Sequence, residues 1–187
     1  MQNRRILSLC LLFFPTLLMA QVSGVVKSNM GEVLPGAIVR WIGEKKAVTG
    51  AHGITVEADG VFTEYDYNDG AMAVLPGGMP GTNHLMAHDG LKQVLVDYNN
   101  AKKYLAAICA APSVLGMNGF LEGRHATCYP GFEEKLLGAK ALPDAVVIDG
   151  NMITSRGMGT AISFGAALVS VLIGEDAAES LLKAIQY

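Results

Sequence analysis

The chain contains 187 residues, of which 51% are hydrophobic and 17% are charged. This composition excludes a disordered chain, whose signature is low hydrophobicity and high net charge. With 14 basic and 17 acidic residues, the chain lacks the basic surplus that nucleic-acid binding requires. Three cysteines are too few for a disulfide framework. The 22 glycines favour an α/β domain with many tight turns.

The first twenty residues have the pattern of a secretory signal peptide. Arg4 and Arg5 precede an almost wholly apolar run that ends in Ala20. Cleavage after Ala20 would give an exported, periplasmic chain with no stable membrane span. The alternative is an uncleaved membrane anchor. The apolar run is shorter than the about 20 residues of a spanning helix, and it contains Pro15.

Residues 21–42 are predicted to form a partial β module that lies outside the main core or is loosely attached to it. Valines and a β-rich run at 37–42 surround two turns, at Asn29-Met30-Gly31 and Pro35-Gly36. The stretch VSGVVKSNMGEVLPGAIVRWIG resembles the start of the carboxypeptidase-regulatory-like β-sandwich, which often follows the signal peptide of TonB-dependent receptors. The alternative is a generic β-hairpin.

From residue 43 onward, the pattern predicts alternating strands and helices. Continuous apolar runs predict buried strands at 71–75 and 104–109, with a helix at 82–99 between them. The turn Asp149-Gly150-Asn151 predicts a hairpin. Further helices are predicted at 112–117, 160–173 and 176–185. Alternating elements of this kind predict a mainly parallel sheet covered by helices on both faces.

Cys109 is the strongest candidate for a functional residue. It ends the predicted strand at 104–109, and Ala110 and Ala111 lead directly into the next helix. A strand, tight turn and helix in this order expose a side chain at the carboxyl edge of the sheet, as in a nucleophile elbow. The helix dipole would favour the reactive thiolate. The alternative is a buried structural cysteine.

Two other features have weaker patterns. Gly77 and Gly78 close a predicted strand, where their N–H groups can face an oxyanion, although a plain turn has the same pattern. His84 and His88 lie four residues apart on one predicted helix. No third ligand accompanies them, so no metal site is predicted.

Five segments together resemble the DJ-1/PfpI (ThiJ) family, in the order and spacing of that family, from about residue 43 onward. They are VTGAHGITVEAD, VLPGGMPG, AAICAAP, ATCYPGFEEKL and TSRGMGT. The resemblance implies a class I glutamine amidotransferase-like fold, a three-layer α/β/α sandwich related to flavodoxin. It also implies a homodimer, no cofactor and, as for the family, a cytoplasmic location. Some bacterial relatives carry a thiazole monophosphate biosynthesis label.

The resemblance assigns roles at the site. Cys109 corresponds to the reactive cysteine of the family. Gly77 and Gly78 correspond to the glycines whose amides border it, and the amide of Ala110 would help to hold the oxyanion. The implied function is cysteine-dependent action on small reactive aldehydes, of glyoxalase or deglycase type. The alternatives are a non-catalytic redox-sensing or chaperone module and an inactive chimeric fragment.

Other residues match the family less directly. His52 falls where some members place a basic residue near the partner's active site, and a surface role is the alternative. Arg156 matches a loop beside the site, where a substrate contact and a structural role are the alternatives. Tyr129 falls where some members have a histidine near the cysteine, and Cys128 is a candidate second oxidisable thiol.

The resemblance also predicts that a unit is missing. The family opens with a strand, Gly-Phe-Glu-Glu, a helix and a second strand, and the glutamate is a proton partner of the cysteine. Residues 1–46 contain no such segment, and the one at 131–134 belongs to a different part of the family pattern. We therefore predict a sandwich that lacks its first strand–helix–strand unit. The possible origins are an exported fusion, a chimeric reading frame and a binding module that never needed the glutamate.

Overall fold

A seven-stranded sheet lies at the centre of the part of the chain that the structure describes. The structure is a computed structural model that describes residues 7–13, 37–50 and 53–187, and only the backbone of residues 7–13 and 37–41. The strands are β1 (Leu7–Phe13), β2 (Ala37–Gly43), β3 (Ala47–Thr49), β4 (Thr55–Glu57), β5 (Gly60–Val61), β6 (Gly70–Leu75), β7 (Tyr104–Ile108), β8 (His125–Ala126), β9 (Lys140–Ala141), β10 (Val146–Asp149) and β11 (Met152–Ser155). The helices are α1 (Gly81–Ala87), α2 (Asp89–Asn100), α3 (Pro112–Met117), α4 (Ala161–Ile173) and α5 (Glu175–Ala184).

The sheet is parallel except at one edge. Its strand order is β10-β11-β7-β6-β1-β2-β5, and the hairpin of β10 and β11 is antiparallel. β3 pairs with β4, and β8 pairs with β9, outside this sheet. Because parallel neighbours need crossover connections, helices come to lie on the sheet faces. The predicted α/β class is confirmed.

Side chains alternate between the two faces of the inner strands. On β6, Ala73 and Leu75 pack in the core beneath α1, α2 and α3, whereas Met72 and Val74 pack toward α4. This alternation follows from the period of two residues in a strand. A continuous apolar run therefore supplies both faces at once, which is why the runs predicted as buried strands occupy the centre of the sheet.

The helix predicted at 82–99 is two helices in the structure. His88 lies between α1 and α2 with an extended backbone, φ −90° and ψ 100°. Its Nδ1 accepts a hydrogen bond of 2.9 Å from the N–H of Leu91, which caps the start of α2. The periodic pattern does not reveal this break, because Leu85 of α1 and Leu95 of α2 enter the same core.

Residues 7–13 form an inner strand of the sheet. β1 lies between β6 and β2 and runs parallel to both, with Leu9 paired to Val39 on one side and to Met72 on the other. The structure thus differs from the prediction that the first strand is missing. The physical reason is that a short apolar run is the pattern of a signal-peptide core and also of a strand buried on both faces.

The second strand crosses the predicted boundary between residues 42 and 43. β2 begins at Ala37, ends at Gly43 and joins the main sheet, and Ile42 is buried in the core. Residues 37–43 thus belong to the main sheet in the structure, whereas the sequence predicts a module outside the core or loosely attached to it. The rest of the predicted β module, at 21–36, lies outside the described residues. Within the part that is described, no helix is both long enough and apolar enough to cross a bilayer.

A charged cluster ties β8 to the hairpin of β10 and β11. Oδ2 of Asp149 accepts a hydrogen bond of 2.8 Å from the backbone N–H of His125 and lies 3.3 Å from Nδ1 of that ring. Arg124 donates to the backbone oxygen of Asp149 at 2.8 Å. The hydrogen bond from the His125 backbone is the main reason that the pKa of the Asp149 carboxyl lies below its usual value.

We expect Asp149→Asn to lower the melting temperature near neutral pH and to have little effect in acid. A carboxyl whose pKa is depressed by folding stabilises the protein above its unfolded pKa of about 3.9, and this stabilisation is lost as the pH falls through the folded pKa. Partial exposure limits the effect to about 1 kcal/mol or less. Thermal unfolding from pH 6 downward checks this, with the exposed Asp144→Asn as control. A difference between wild type and Asp149→Asn that persists unchanged in acid would contradict it.

Candidate functional site

Cys109 stands at the carboxyl edge of the sheet, as predicted. It directly follows β7, and α3 begins three residues later at Pro112. Its side chain is half-buried, and its backbone adopts a φ of +65°, in the left-handed region. A residue with a Cβ atom is strained there by roughly 1–3 kcal/mol, and such strain collects at functional sites. This is the geometry of a nucleophile elbow.

Two backbone hydrogen bonds hold the strained turn. The N–H of Cys109 donates to the oxygen of Ser155 at 2.9 Å, and its own oxygen accepts from the N–H of Tyr129 at 2.8 Å. The hydroxyl of Ser155 in turn contacts Oγ1 of Thr160 at 2.7 Å. Sequence reasoning missed Ser155, because it acts through its backbone oxygen and no side-chain pattern signals that contact.

Gly77 lies directly against the cysteine. A Cβ atom at this position would lie 2.5 Å from Cβ of Cys109 and 2.6 Å from the oxygen of Ile108. Only glycine permits this approach between the end of β6 and the end of β7. Gly78 has a φ of +93°, and its oxygen accepts from both the N–H and the hydroxyl of Thr82, at 2.9 Å each. These contacts anchor the glycine turn beside the sulfur.

The backbone donors predicted to hold an oxyanion lie at this junction. The N of Ala110 would be 3.1 Å from a Cβ placed on Gly77. Among the described residues, the N–H groups of Gly78 and Ala110 donate to no protein acceptor. Backbone N–H groups in this state are available to a negatively charged oxygen.

Cys128 is a different kind of thiol. It is buried, and burial raises its pKa to about 11, with the charge of Glu133 acting in the same direction. A backbone hydrogen bond from Phe132 and the charge of Arg156 oppose this rise only partly. At neutral pH, Cys128 is therefore almost wholly the unreactive thiol.

We expect iodoacetamide to label Cys109 at neutral pH and to leave Cys128 unlabelled until the protein is unfolded. With a pKa of about 11, only about one Cys128 in 10⁴ is ionised at pH 7, and burial also blocks access. Peptide mass spectrometry after timed labelling, with and without denaturant, distinguishes the two sites. Equal labelling of both cysteines in the folded protein would contradict the prediction.

The structure shows no hydrogen bond between Cys109 and the side chains of the other predicted site residues that it describes. Nη1 of Arg156 donates to the oxygen of Pro143 at 3.2 Å, a structural contact with the loop before β10. His52 lies outside the described residues. His84 lies on α1, whereas His88 lies between α1 and α2, and no group of three or more metal-binding side chains occurs in the described part of the chain.

Cys109 has no hydrogen bond to an acidic side chain among the described residues. Glu133 instead accepts from the N–H of Gly131 at 2.7 Å. The first acidic residue of the whole sequence is Glu32, well beyond the end of β1. The resemblance predicts a glutamate directly after the first strand, and the sequence has none there.

Comparisons with known proteins agree with the fold. The solved structure of oxidized Toxoplasma gondii DJ-1 matches with a TM-score of 0.81 at 24% identity, covering 97% of this chain and 98% of that one. At this identity, the match shows the fold alone. It extends over nearly the whole chain, in keeping with the place of β1 and β2 in the main sheet.

Sequence comparisons show the family. Protein DJ-1 homolog B of Arabidopsis thaliana is 39% identical over 133 residues, 70% of this chain and 30% of that protein. The match thus spans about a third of the length of this relative. A protein named a deglycase from Pyrococcus abyssi is 30% identical over 149 residues, 79% of this chain and 86% of that protein. The profile of the DJ-1/PfpI family matches residues 26–171, most of the chain. The chain therefore belongs to the DJ-1/PfpI family.

Proposed function

We propose that this protein acts on small reactive aldehydes through Cys109, as a glyoxalase or deglycase does. The observation that carries the proposal is the half-buried Cys109 at a φ of +65°, at the carboxyl edge of the sheet and against Gly77. The relative from Pyrococcus abyssi, which is named a deglycase, supports the same chemistry. The proposal needs no cofactor.

The first chemical step is addition to the carbonyl group. The thiolate of Cys109 attacks the aldehyde carbon, so that a C–S bond forms and the π electrons of the carbonyl move to its oxygen. The N–H groups of Gly78 and Ala110 donate hydrogen bonds to that oxygen. Protonation of the oxygen then gives a neutral hemithioacetal.

In the conversion of methylglyoxal and water to lactate, the proton on the former aldehyde carbon of the hemithioacetal then moves to the neighbouring carbon, which gives a thioester of lactate. Water hydrolyses this thioester, so that the C–S bond breaks and lactate and the thiol are released. A positioned general acid–base group contributes about 10²–10⁴-fold to such steps. No carboxylate of the described residues forms a hydrogen bond with Cys109, and no acidic residue occurs before Glu32. We therefore expect Cys109 to react readily with alkylating agents while carbonyl turnover is slow.

Lactate formation from methylglyoxal tests the proposal. Wild type is expected to give a slow but measurable rate, Cys109→Ala none, and the control Cys128→Ala the wild-type rate. Undetectable turnover by wild type at high protein concentration, or equal turnover by Cys109→Ala, would overturn the enzymatic assignment.

The absence of a carboxylate hydrogen-bonded to Cys109 among the described residues favours a second candidate, a non-catalytic redox or chaperone module. In that case the Cys109 thiolate attacks a peroxide, the O–O bond breaks, and a sulfenic acid and hydroxide result. This candidate predicts selective oxidation of Cys109 and suppressed aggregation of a client protein, both without lactate formation. Peroxide titration followed by mass spectrometry, together with the lactate assay, distinguishes the two functions.

Assembly and location are part of the same proposal. We propose a homodimer, since DJ-1 family proteins are commonly dimeric, and light scattering of the purified chain tests this. Two locations are proposed in turn: a periplasmic chain if residues 1–20 act as a cleaved signal, and a cytoplasmic chain if they remain attached. N-terminal sequencing of the protein from its own cells distinguishes them.

A further inference from the structure

We propose that Tyr129 is the specificity-determining residue of the Cys109 site, because its ring limits the bulk of the electrophile that reaches the sulfur. The inference rests on the proposed function and names which carbonyl compounds the site prefers. Tyr129 is not part of the thiol chemistry itself. It forms one side wall of the approach to Cys109.

The backbone places Tyr129 at the edge of the site. Its N–H donates to the oxygen of Cys109 at 2.8 Å, so the two residues adjoin directly. Its ring packs against Gly157, where a Cβ atom would lie 3.4 Å from Cδ2 and 3.9 Å from Cε2 of the ring. Gly157 follows closely after Ser155, whose oxygen holds the N–H of Cys109. The segments on both sides of the ring are thus bound to the backbone of the cysteine.

The ring is open to a ligand. Tyr129 is 51% exposed, although its backbone is fixed at the turn and one side of the ring meets Gly157. Among the described residues, its hydroxyl has no hydrogen-bond partner. An aromatic side chain has only two side-chain torsions, so a ring on a fixed backbone loses little entropy when it is held in place. Such a ring can restrict the approach of a ligand.

Another border of the site has little bulk. There the end of β6 presents Gly77 and Gly78, which have no side chains, against Cys109. Of the described residues shown to contact Cys109 from other segments, Gly77, Ser155 and Tyr129, it is Tyr129 that has the largest side chain. A small aldehyde such as methylglyoxal fits this asymmetry, whereas an aryl aldehyde such as phenylglyoxal would meet the ring.

Alkylation of Cys109 by two reagents that react in the same way but differ in size tests whether the Tyr129 ring limits access to the sulfur. Iodoacetamide and N-phenyl-iodoacetamide both form a C–S bond with loss of iodide, and peptide mass spectrometry reports the rate at Cys109. We expect Tyr129→Ala to raise the ratio of the bulky to the small reagent's rate constant by about tenfold, at the low end of discrimination by pocket shape. Tyr129→Phe should retain the wild-type ratio. Ile148→Ala, at a residue of similar exposure (48%), is the matched control.

An unchanged ratio in Tyr129→Ala would overturn the inference, and so would an equal rise in both rate constants or a similar change in Ile148→Ala. The alkylation assay does not depend on turnover. It therefore tests the role of Tyr129 even if no lactate is formed and the proposed function is rejected. If turnover is present, Tyr129→Ala should also raise kcat/KM for phenylglyoxal relative to methylglyoxal. Because Tyr129 is exposed, all variants should keep the wild-type melting temperature.

Discussion

Replacement of Leu9 by proline is expected to abolish cooperative unfolding of the full-length chain. Leu9 lies in the middle of β1 and is paired with β2 on one side and β6 on the other. Proline has no N–H and does not fit an inner strand. Each buried backbone group left without a partner costs roughly 1–3 kcal/mol. Since a domain has only about 5–15 kcal/mol of stability, a few such groups are enough to unfold it.

Thermal unfolding followed by circular dichroism measures this effect, and Leu9→Val is the control because valine suits a buried strand. Removal of residues 1–20 is expected to have the same effect as Leu9→Pro, since it removes the whole of β1. A truncated chain that melts like the full-length one would show that the sheet does not need β1. That result would fit a cleaved signal peptide, because Leu7–Phe13 cannot leave with the signal and also pair with β2.

Gly77→Ala is expected to slow both alkylation and turnover at Cys109 and to destabilise the protein by about 1–3 kcal/mol, the usual cost of overpacking. The new methyl group would lie 2.5 Å from Cβ of Cys109 and 2.6 Å from the oxygen of Ile108, so one of the two strand ends must move. A displacement of about 1 Å at a reacting centre typically costs on the order of 100-fold in rate.

Gly159→Ala is the matched control for this glycine, because a Cβ atom there has no neighbour within 4 Å. Rates of iodoacetamide labelling and melting temperatures of the two variants are to be compared with wild type. If Gly77→Ala labels and melts as wild type does, the close approach between Gly77 and Cys109 is not a feature of the protein in solution.

Much of the fold from β6 onward follows from local signals in the sequence. The helix at 112–117 was predicted with the bounds that α3 has, and β6 begins one residue before the predicted 71–75. Apolar runs bounded by glycine or proline turns are local patterns. These turns end a strand irrespective of which strands are its neighbours in the sheet. Cys109 was found for the same reason, since a strand, small residues and a helix in direct succession already place a side chain at the sheet edge.

Long-range contacts decided the rest. The apolar run that contains Leu9 has a pattern shared by a membrane-targeting segment and a buried strand, and its pairing with β2 and β6 cannot be read from that run alone. The break at His88 is accompanied by a side-chain hydrogen bond to the N–H of Leu91, which the continuous helical pattern does not reveal. The site likewise depends on contacts between segments distant in sequence: Gly77 against Cys109, and Tyr129 and Ser155 bound to its backbone. By itself, the sequence determined most of the strands and helices from β6 onward and which residue bears the thiol. Only the tertiary structure decided which strands are neighbours and what surrounds the sulfur, because those depend on steric fit and hydrogen bonds across the sheet.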